Sequence, residues 1–339
     1  MKDISIFLGA NTARGFRSLY EEYIGSLDLR RLYVIKGSAG CGKSGLMKRV
    51  SERAAGMGLG CVRVLCSGDP DSLDGVLIPE RGIAFFDGTS PHVLEPALTG
   101  QKGFYLDLSR FYTSPAKGLE TPDAAYREHY RRAYRYLAAA GSLEEIPRCS
   151  EATRAAVSRR AEALAARTLG RGRGKGSLRR FYTDAFTCRG LLSLEESRRA
   201  LVPRLLSLSG SRARTEIFLQ AFLRAALERS REVILCPDPT EDRRIAHLLL
   251  PELGLGITTG PGDRRIHLEK LGLPLSREET AQLRELEKLR SSLLDRAQAE
   301  LAMAKRDHDA LEAAVRPFID FAGMTKETDA LIRRVLEEA

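Results

Sequence analysis

The sequence predicts an α/β protein made of two tandem parallel-sheet units, each with helical extensions. Three observations support this prediction. Short apolar runs alternate with segments of helical periodicity, a glycine-rich loop joins one such run to a helix, and blocks of the first half return in order in the second half. The chain has 339 residues, which is enough for two domains that each bury a core of their own.

The glycine-rich loop is the most informative segment of the chain. Residues 37–44 read Gly-Ser-Ala-Gly-Cys-Gly-Lys-Ser and match the phosphate-loop pattern G-x-x-x-x-G-K-[ST]. An apolar strand at 31–36 leads into the loop and a helix follows it, so that the helix N-terminus favours an anion. Lys43 is expected to reach the β- and γ-phosphates, and the Ser44 hydroxyl to hold Mg²⁺. The predicted nucleotide-binding residues are Gly37, Ser38, Ala39, Gly40, Cys41, Gly42, Lys43 and Ser44.

A second apolar strand, at 82–87, ends in Asp87. An apolar strand that ends in an acid and follows a phosphate loop is the pattern of a Walker B element. We expect Asp87 to bind Mg²⁺ through a water molecule, beside Ser44, and to act in catalysis with Lys43. Gly88 and Thr89 follow, where many ATPases have a glutamate that activates the attacking water. The base must therefore come from elsewhere, or hydrolysis is slow.

The loop after the strand at 61–66 supplies further carboxylates, Asp69, Asp71 and Asp74. Because ligands bind outside the carboxyl ends of parallel strands, this loop should face the same crevice as the phosphate loop. Asp69 and Asp71 are candidate catalytic groups that orient water or the metal ion. The same stretch also suits a turn and a helix N-cap, with Asp71 or Ser72 as the capping residue, and both interpretations stay open.

Composition limits the classes of protein to consider. The formal net charge is +9, but most arginines alternate with acidic residues on predicted helix faces, which is typical of a solvated surface. The glycine-rich basic run at 169–180 fits either a flexible linker or a contact to a nucleic-acid backbone. Six cysteines show no metal-ligand spacing, and no apolar stretch approaches the ~20 residues that a membrane span needs. We expect a cytoplasmic protein without a membrane partner.

The two halves of the chain resemble each other, which indicates an internal duplication. The matching blocks are 12–16 with 187–191, 64–66 with 234–236, 69–70 with 238–239, and 77–80 with 249–252. Four ordered blocks are better explained by two copies of one unit than by coincidence. The predicted organisation is a domain at 1–168, a Gly/Arg linker at 169–178, and a second domain at 179–339.

The second copy lacks both nucleotide elements. The alignment sets 208–215 opposite the phosphate loop, with Leu208 in place of the first glycine, Ala213 in place of the second, and Arg214 in place of Lys43. Side chains at those positions should block the tight backbone cradle. Thr259 matches Asp87 and carries no charge to hold Mg²⁺. We therefore expect a degenerate second unit, acting as a scaffold or regulatory pseudo-domain, with an arginine finger from Arg212 or Arg214 as the alternative.

Each half ends in a helix-rich segment. Apolar residues at helical spacing predict helices at 126–140 and 151–169 in the first half. In the second half, the leucine pattern over 277–315 predicts an antiparallel helical hairpin or short coiled coil that projects from the sheet. Pro317 should end that helix. Its apolar stripe fits ordinary packing, with a protein partner as the alternative.

These motifs resemble an uncharacterised bacterial family of tandem, duplicated P-loop NTPase proteins. The resemblance rests on G-A-N-T-A-R-G-F, G-S-A-G-C-G-K-S, C-S-G-D-P-D-S-L-D-G-V-L-I-P-E, F-D-G-T-S-P-H and A-Y-R-Y-L-A-A-A. The long acidic motif is much more specific than a phosphate loop alone. The resemblance is strong over the first half and fainter over the second. It implies an ATP-binding protein or ATPase, and members often carry a phosphate loop in both halves, so this sequence departs from the pattern.

The sequence thus predicts two tandem P-loop NTPase-like units, with Mg²⁺-dependent ATP hydrolysis at a single site in the first. One alternative is a P-loop kinase that transfers the γ-phosphoryl group to a small acceptor, with Asp69 or Asp71 as the base. Another is a nucleotide-dependent module that binds a protein or nucleic acid through its C-terminal helices. The expected cofactors are ATP and Mg²⁺.

Overall fold

The computed structural model of the protein describes residues 3–91, 93–96, 99–114, 120–143, 149–172 and 175–337. Its two units each contain a six-stranded sheet and a two-stranded hairpin. The elements of the first half are β1 (Ile4–Ile6), β2 (Gly9–Thr12), β3 (Gly15–Ser18), α1 (Tyr20–Gly25), β4 (Arg31–Lys36), α2 (Lys43–Gly56), β5 (Val62–Leu65), β6 (Leu73–Ile78), β7 (Ile83–Asp87), β8 (Gly103–Asp107), α3 (Glu120–Ser142) and α4 (Glu151–Thr168).

The first sheet has the strand order β1-β5-β6-β7-β4-β8 and is mixed. Strand β6 runs antiparallel to both of its neighbours, whereas all other neighbouring strands are parallel. The prediction of a parallel sheet is therefore wrong at β6. The turn between β5 and β6 is too short for a parallel crossover, which needs a dozen or more residues. Strands β4, β5 and β7 still run the same way, so their carboxyl ends lie at one edge.

Both faces of this sheet are covered, which explains the continuous apolar runs of its strands. On β4, Tyr33 and Ile35 belong to the core cluster that contains Leu46 and Val50 of α2. Val34, which points to the opposite face, belongs to a cluster shared with the second unit. The alternation of β4 thus divides its side chains between two cores.

The second half repeats the first, strand for strand. Its elements are β9 (Ser177–Arg180), β10 (Asp184–Thr187), β11 (Gly190–Ser193), α5 (Glu195–Leu201), β12 (Arg204–Ser209), α6 (Arg212–Glu228), β13 (Glu232–Pro237), β14 (Ile245–Leu250), β15 (Leu255–Thr258), β16 (Arg264–His267), α7 (Arg277–Val315) and α8 (Phe321–Glu337). The sheet order β9-β13-β14-β15-β12-β16 reproduces the first order, again with the third strand antiparallel. The internal duplication is confirmed, but two of the four matching blocks are wrong in register. Val62 pairs with Leu77 as Ile234 pairs with Leu249, so 62–64 rather than 64–66 is the equivalent of 234–236. The amide of Ser72 donates to the carbonyl of Asp69 as that of Arg244 donates to Glu241, so Asp69 is the equivalent of Glu241 rather than of Asp238.

The two units contact each other through equivalent residues. Phe7 and Tyr182 exchange two backbone hydrogen bonds of 2.8 and 2.9 Å, as an antiparallel bridge. Around this bridge one buried cluster includes Ile6 and Val64 of the first unit with Leu205 and Ile234 of the second. The arrangement is pseudo-symmetric, and the shared core joins the two units.

The last helix of each half packs on the other unit. Helix α4 shares a core with α6 of the second unit through Val157 and Phe218. Helix α8 shares a core with α2 of the first unit through Met324 and Met47. The two halves therefore exchange their terminal helices.

Helix α7 is one continuous helix of 39 residues, so the predicted hairpin within 277–315 is wrong. The antiparallel partner of α7 is α3 of the first half. Arg290 Nη1 donates to the carbonyl of Ala140 at 2.8 Å, and His129 Nδ1 lies 2.5 Å from Glu300 Oε2. The helix ends at Val315, ahead of Pro317 as predicted.

The predicted linker is partly described. Residues 173 and 174 lie outside the described residues. On the N-terminal side, the Gly172 amide donates to the carbonyl of Arg229 at 2.7 Å. On the C-terminal side, the last residues of the predicted linker already belong to β9. Both ends of the segment are therefore attached to the second unit.

Candidate functional site

The loop between β4 and α2 adopts a backbone that glycine makes accessible. Gly37, Gly40 and Gly42 have positive φ angles of 151°, 74° and 91°. A Cβ atom on Gly37 would lie 2.5 Å from Cys41 Sγ, so a side chain does not fit there. These three positions allow residues 38–42 to fold back over the start of α2.

Lys43, the first residue of α2, is folded back over this loop. Its Nζ donates to the carbonyl oxygens of Gly37 at 2.8 Å and Ser38 at 3.0 Å. The same Nζ lies 3.6 Å from Asp87 Oδ2, and both side chains are 13% exposed. The parallel register of β4 and β7 sets Ile35 beside Asp87 and so brings the carboxylate to the loop.

Ser44 and Asp87 each keep a defined orientation. Ser44 Oγ accepts a hydrogen bond of 2.9 Å from the Leu73 amide, which follows the loop after β5. Asp87 Oδ1 accepts hydrogen bonds from the Thr89 amide at 2.8 Å and the Thr89 hydroxyl at 2.6 Å. The Thr89 contacts fix the carboxylate with its second oxygen towards Lys43. Thr89 therefore positions Asp87, a role that its sequence position alone does not reveal.

Asp69 and Asp71 have partners of their own. Asp69 accepts from the Ser72 hydroxyl at 2.8 Å and from the Asp71 amide at 3.3 Å, and it lies 3.6 Å from Lys305 Nζ of α7. Asp71 forms an ion pair with Arg189 of the second unit. The turn is confirmed, but Asp69 rather than Asp71 or Ser72 anchors it, and strand β6 follows it instead of a helix.

Asp74 does not lie with Asp69 and Asp71 near the loop. It is buried, and its carboxylate accepts a hydrogen bond of 2.9 Å from the hydroxyl of Tyr20. Tyr20 belongs to the cluster shared by the two units, on the face of the sheet away from α2. Regular alternation would set Asp74 on the face of Val76 and Ile78, but a β-bulge opposite Val64 and Leu65 interrupts the pairing at this point, and Asp74 faces away from α2.

Several residues at the loop come from distant parts of the chain. Glu312 Oε1 of α7 accepts a hydrogen bond of 3.2 Å from the Gly40 amide. The hydroxyls of Ser38 and Tyr112 are hydrogen-bonded. A Cβ atom on Gly42 would lie 2.7 Å from Met324 Cε of α8. Tyr112 is 74 positions from Ser38 along the chain, and Glu312 is 272 positions from Gly40. No local sequence pattern could therefore have identified these neighbours.

Burial makes the loop cysteine unreactive. Cys41 is 1% exposed, and this burial raises the pKa of its thiol, despite the nearby charge of Lys43. A protonated, buried thiol fills space and does not act as a nucleophile.

The second unit lacks the loop itself. Lys36 O accepts from the Leu108 amide and Ser209 O from the Leu268 amide, at 2.9 and 2.8 Å, so Ser209 is the equivalent of Lys36. Gly210, with φ of 148°, then corresponds to Gly37. The alignment of Leu208 with Gly37 is therefore wrong by two positions. Between Gly210 and the start of α6 at Arg212 there is room only for Ser211.

The N-terminus of α6 is capped by a side chain of the second unit itself. Ser211 Oγ accepts a hydrogen bond from the Arg214 amide, whereas Gly42 at the start of α2 has no side chain to form such a cap. Arg214 is 5% exposed and donates to the carbonyls of Leu268, Glu269 and Leu273. Arg214 therefore stabilises the interior of the second unit through these hydrogen bonds. This is the structural role favoured over an arginine finger. Arg212 forms an ion pair of 2.8 Å with Glu241.

Comparison with protein-family models, with curated proteins and with solved structures finds no match for this chain. The resemblance to tandem P-loop proteins therefore remains a prediction from the sequence motifs. In the part of the chain that the structure describes, none of the helices combines the length and apolarity that crossing a membrane requires.

Proposed function

We propose that the first unit binds a nucleoside triphosphate with Mg²⁺ and hydrolyses it, at the loop between β4 and α2. One observation carries the proposal: the N-terminus of α2 has no side-chain cap and is wrapped by a left-handed glycine loop, with Lys43 and Asp87 3.6 Å apart beside it. Uncapped amides and the helix dipole favour an anion at this position. In the second unit, Ser211 provides the cap at the equivalent helix.

The residues present suit the group that the proposal requires. Ser44 offers a hydroxyl and Asp87 a carboxylate, and hard oxygen atoms of this kind are the ligands that Mg²⁺ prefers. When bound, the metal ion would neutralise charge on the phosphate oxygens. Lys43 would exchange its contacts with the Gly37 and Ser38 carbonyls for contacts with the phosphates, and Asp87 would remain fixed by Thr89.

The same geometry weighs against Asp69 as the base of a kinase that transfers the phosphoryl group to a second substrate. A kinase would need Asp69 or Asp71 as the base. Asp69 is engaged in the turn with Ser72, and Asp71 is paired with Arg189. Proton uptake by Asp69 would disturb the turn, whereas the Asp71–Arg189 pair is on the surface, with 68% of the Asp71 side chain exposed.

The test is the change Lys43→Ala, with Lys48→Ala as its control. Both residues are on α2. Lys48 is exposed and lies more than one helical turn beyond Lys43, on a different side of the helix. Calorimetric titration with Mg·ATP and Mg·GTP should show at least a ~10-fold loss of affinity in K43A, because charged hydrogen bonds to phosphate are lost. K48A should bind as the unaltered protein does. The rate of phosphate release from ATP should fall in K43A and stay unchanged in K48A.

A thermal unfolding experiment completes the test. Lys43 is largely buried, so K43A leaves two carbonyls and Asp87 without their partner, and we expect a loss of about 1 kcal/mol in the free energy of unfolding with the fold retained. Equal nucleotide affinity in K43A and the unaltered protein would refute the proposed site.

A further inference from the structure

The C-terminal helices reach back from the second unit to the candidate phosphate loop. The last turns of α7 lie against Gly40, and the beginning of α8 lies against Gly42. A Cβ atom on Gly40 would be 3.0 Å from both Cα and the carbonyl oxygen of Glu312. Glycine at this position therefore allows direct contact between the loop and the backbone of α7, in addition to its left-handed conformation.

This contact brings a carboxylate to an amide of the loop. Glu312 Oε1 accepts the Gly40 N–H at 3.2 Å. A phosphate loop binds its ligand through backbone N–H groups that point at negative charge, and a carboxylate offers the same kind of acceptor. The loop thus contacts two carboxylates, Asp87 beside Lys43 and Glu312 on Gly40.

We propose that the Glu312 carboxylate is a built-in competitor of the nucleotide phosphates, which must displace it from the Gly40 amide in order to bind. This inference rests on the proposed function of the loop. If the Glu312 carboxylate stayed beside Gly40 when the nucleotide bound, it would lose its hydrogen bond to the Gly40 amide and would repel the phosphate. The presence of Glu312 therefore lowers the affinity of the loop for the nucleotide.

The geometry allows the side chain to leave while the helix stays. Leu311 and Val315, on either side of Glu312 in the sequence, are buried in the core of the first unit and hold α7 against the loop. The Glu312 side chain itself is 42% exposed, and its carboxylate already lies 3.8 Å from His308 Nδ1 on the preceding turn. Rotation of one side chain into solvent therefore frees the Gly40 N–H, while the backbone of α7 keeps its contact with Gly40.

The experiment compares Glu312→Gln and Glu312→Ala with the control Asp309→Asn. The glutamine keeps an acceptor but removes the charge, and the alanine removes both. Asp309 is on the same helix, is 51% exposed, and is paired with Lys305. Its change therefore removes one negative charge from α7 without altering the contact with Gly40.

Calorimetric titration with Mg·ATP, and separately with Mg·pyrophosphate, should show ~10-fold tighter binding in E312Q than in the unaltered protein, and at least as large an effect in E312A. D309N should stay within about 2-fold, because the screened charge of a solvated carboxylate has little effect. Pyrophosphate tests whether the competition concerns the phosphates rather than the nucleoside.

The outcomes separate this inference from the proposed function. Binding of equal strength in E312Q, E312A and the unaltered protein would refute the competition and leave the nucleotide site intact. Equal binding with a large loss of turnover in E312Q would also refute it and would identify Glu312 as the group that activates water. Absence of binding in all of these proteins would refute both proposals.

Discussion

At the scale of single residues, the second unit contains a buried polar network where the first has an apolar contact. Gly75 of β6 pairs with Phe86 of β7, whereas the equivalent pair in the second unit is His247 with Thr258. His247 lies 2.8 Å from the Thr258 hydroxyl and 2.7 Å from Asp184 Oδ2. The two units fill the same space by different means, because a large ring needs a glycine opposite it and a histidine needs polar neighbours.

Arg198 completes this network. The residue is fully buried, and its Nη1 donates to Asp184 Oδ1 at 2.5 Å. Burial by itself would raise the pKa of Asp184, but the hydrogen bond and attraction from His247, together with Arg198, outweigh it and lower the pKa from 3.8 to about 2. The native state therefore favours the charged carboxylate more than the unfolded chain does.

This shift predicts a loss of stability in acid. A carboxylate whose pKa is lowered on folding contributes stability above its unfolded pKa, and the contribution disappears as pH falls through the folded pKa. We expect about 2 kcal/mol of unfolding free energy to be lost between about pH 4 and pH 2 through Asp184. Urea unfolding as a function of pH measures this loss.

The variant Asp184→Asn serves as the control for that measurement. It should be less stable by about 3 kcal/mol at neutral pH, because the buried charge of Arg198 loses its partner. Its stability should also fall less steeply below pH 4. An unchanged acid slope in D184N would contradict the assignment of the shift to this residue.

At the scale of elements, α7 is the longest helix among the described residues and connects the two units. It begins in the second unit with a capping box: the Ser276 side chain accepts the Glu279 amide, and the Glu279 side chain accepts the Ser276 amide. It then runs antiparallel to α3 and reaches the loop of the first unit with Glu312. A change in the stability of the first turn of α7 therefore acts on a helix that contacts both units.

The capping box gives an element-scale prediction. Ser276→Ala should reduce the free energy of unfolding by about 1 kcal/mol, because two amides of the first turn lose their partners or their orientation. Ser291→Ala makes the same chemical change at an exposed position inside α7 and should be neutral or slightly stabilising, since alanine favours helix interiors. Chemical denaturation of both variants is the measurement. Equal effects would show that the cap contributes nothing.

At the scale of the whole molecule, two copies of one unit face each other with approximate two-fold symmetry. Arg14 of the first unit pairs with Asp242 of the second, and Arg189 of the second pairs with Asp71 of the first. Arg14 and Arg189 are equivalent residues, and each contacts the corresponding loop of the other unit, as at a two-fold interface between identical subunits. Here the subunits are halves of one chain, and they also exchange the helices α4 and α8.

The asymmetry between the halves predicts one nucleotide per chain. The second unit has only Ser211 between Gly210 and α6, and Thr259 occupies the position of Asp87. Loop amides that are absent cannot bind phosphate, and Arg214 is buried among carbonyl groups. Calorimetry with a non-hydrolysable ATP analogue should give a stoichiometry near ~1, with the affinity of that one site lowered at least ~10-fold in Lys43→Ala. A second site, or one whose affinity the Lys43 change leaves unaltered, would contradict this prediction.

The sequence by itself determined the features that depend on local order along the chain. The strand before Gly37, the strand that ends at Asp87, the duplication and the end of α7 before Pro317 all follow from patterns of apolar residues, glycine and proline. Such patterns report on neighbours in the sequence, because backbone conformation and side-chain periodicity are local properties.

Only the tertiary structure decided which distant residues meet. The pairing of α7 with α3, the exchange of α4 and α8, and the contact of Glu312 with Gly40 join segments that are far apart along the chain. The shorter loop after Gly210 also became visible only when equivalent backbone hydrogen bonds fixed the alignment of the two units. These contacts depend on how complete elements pack to bury their apolar faces, and packing is a property of the whole chain.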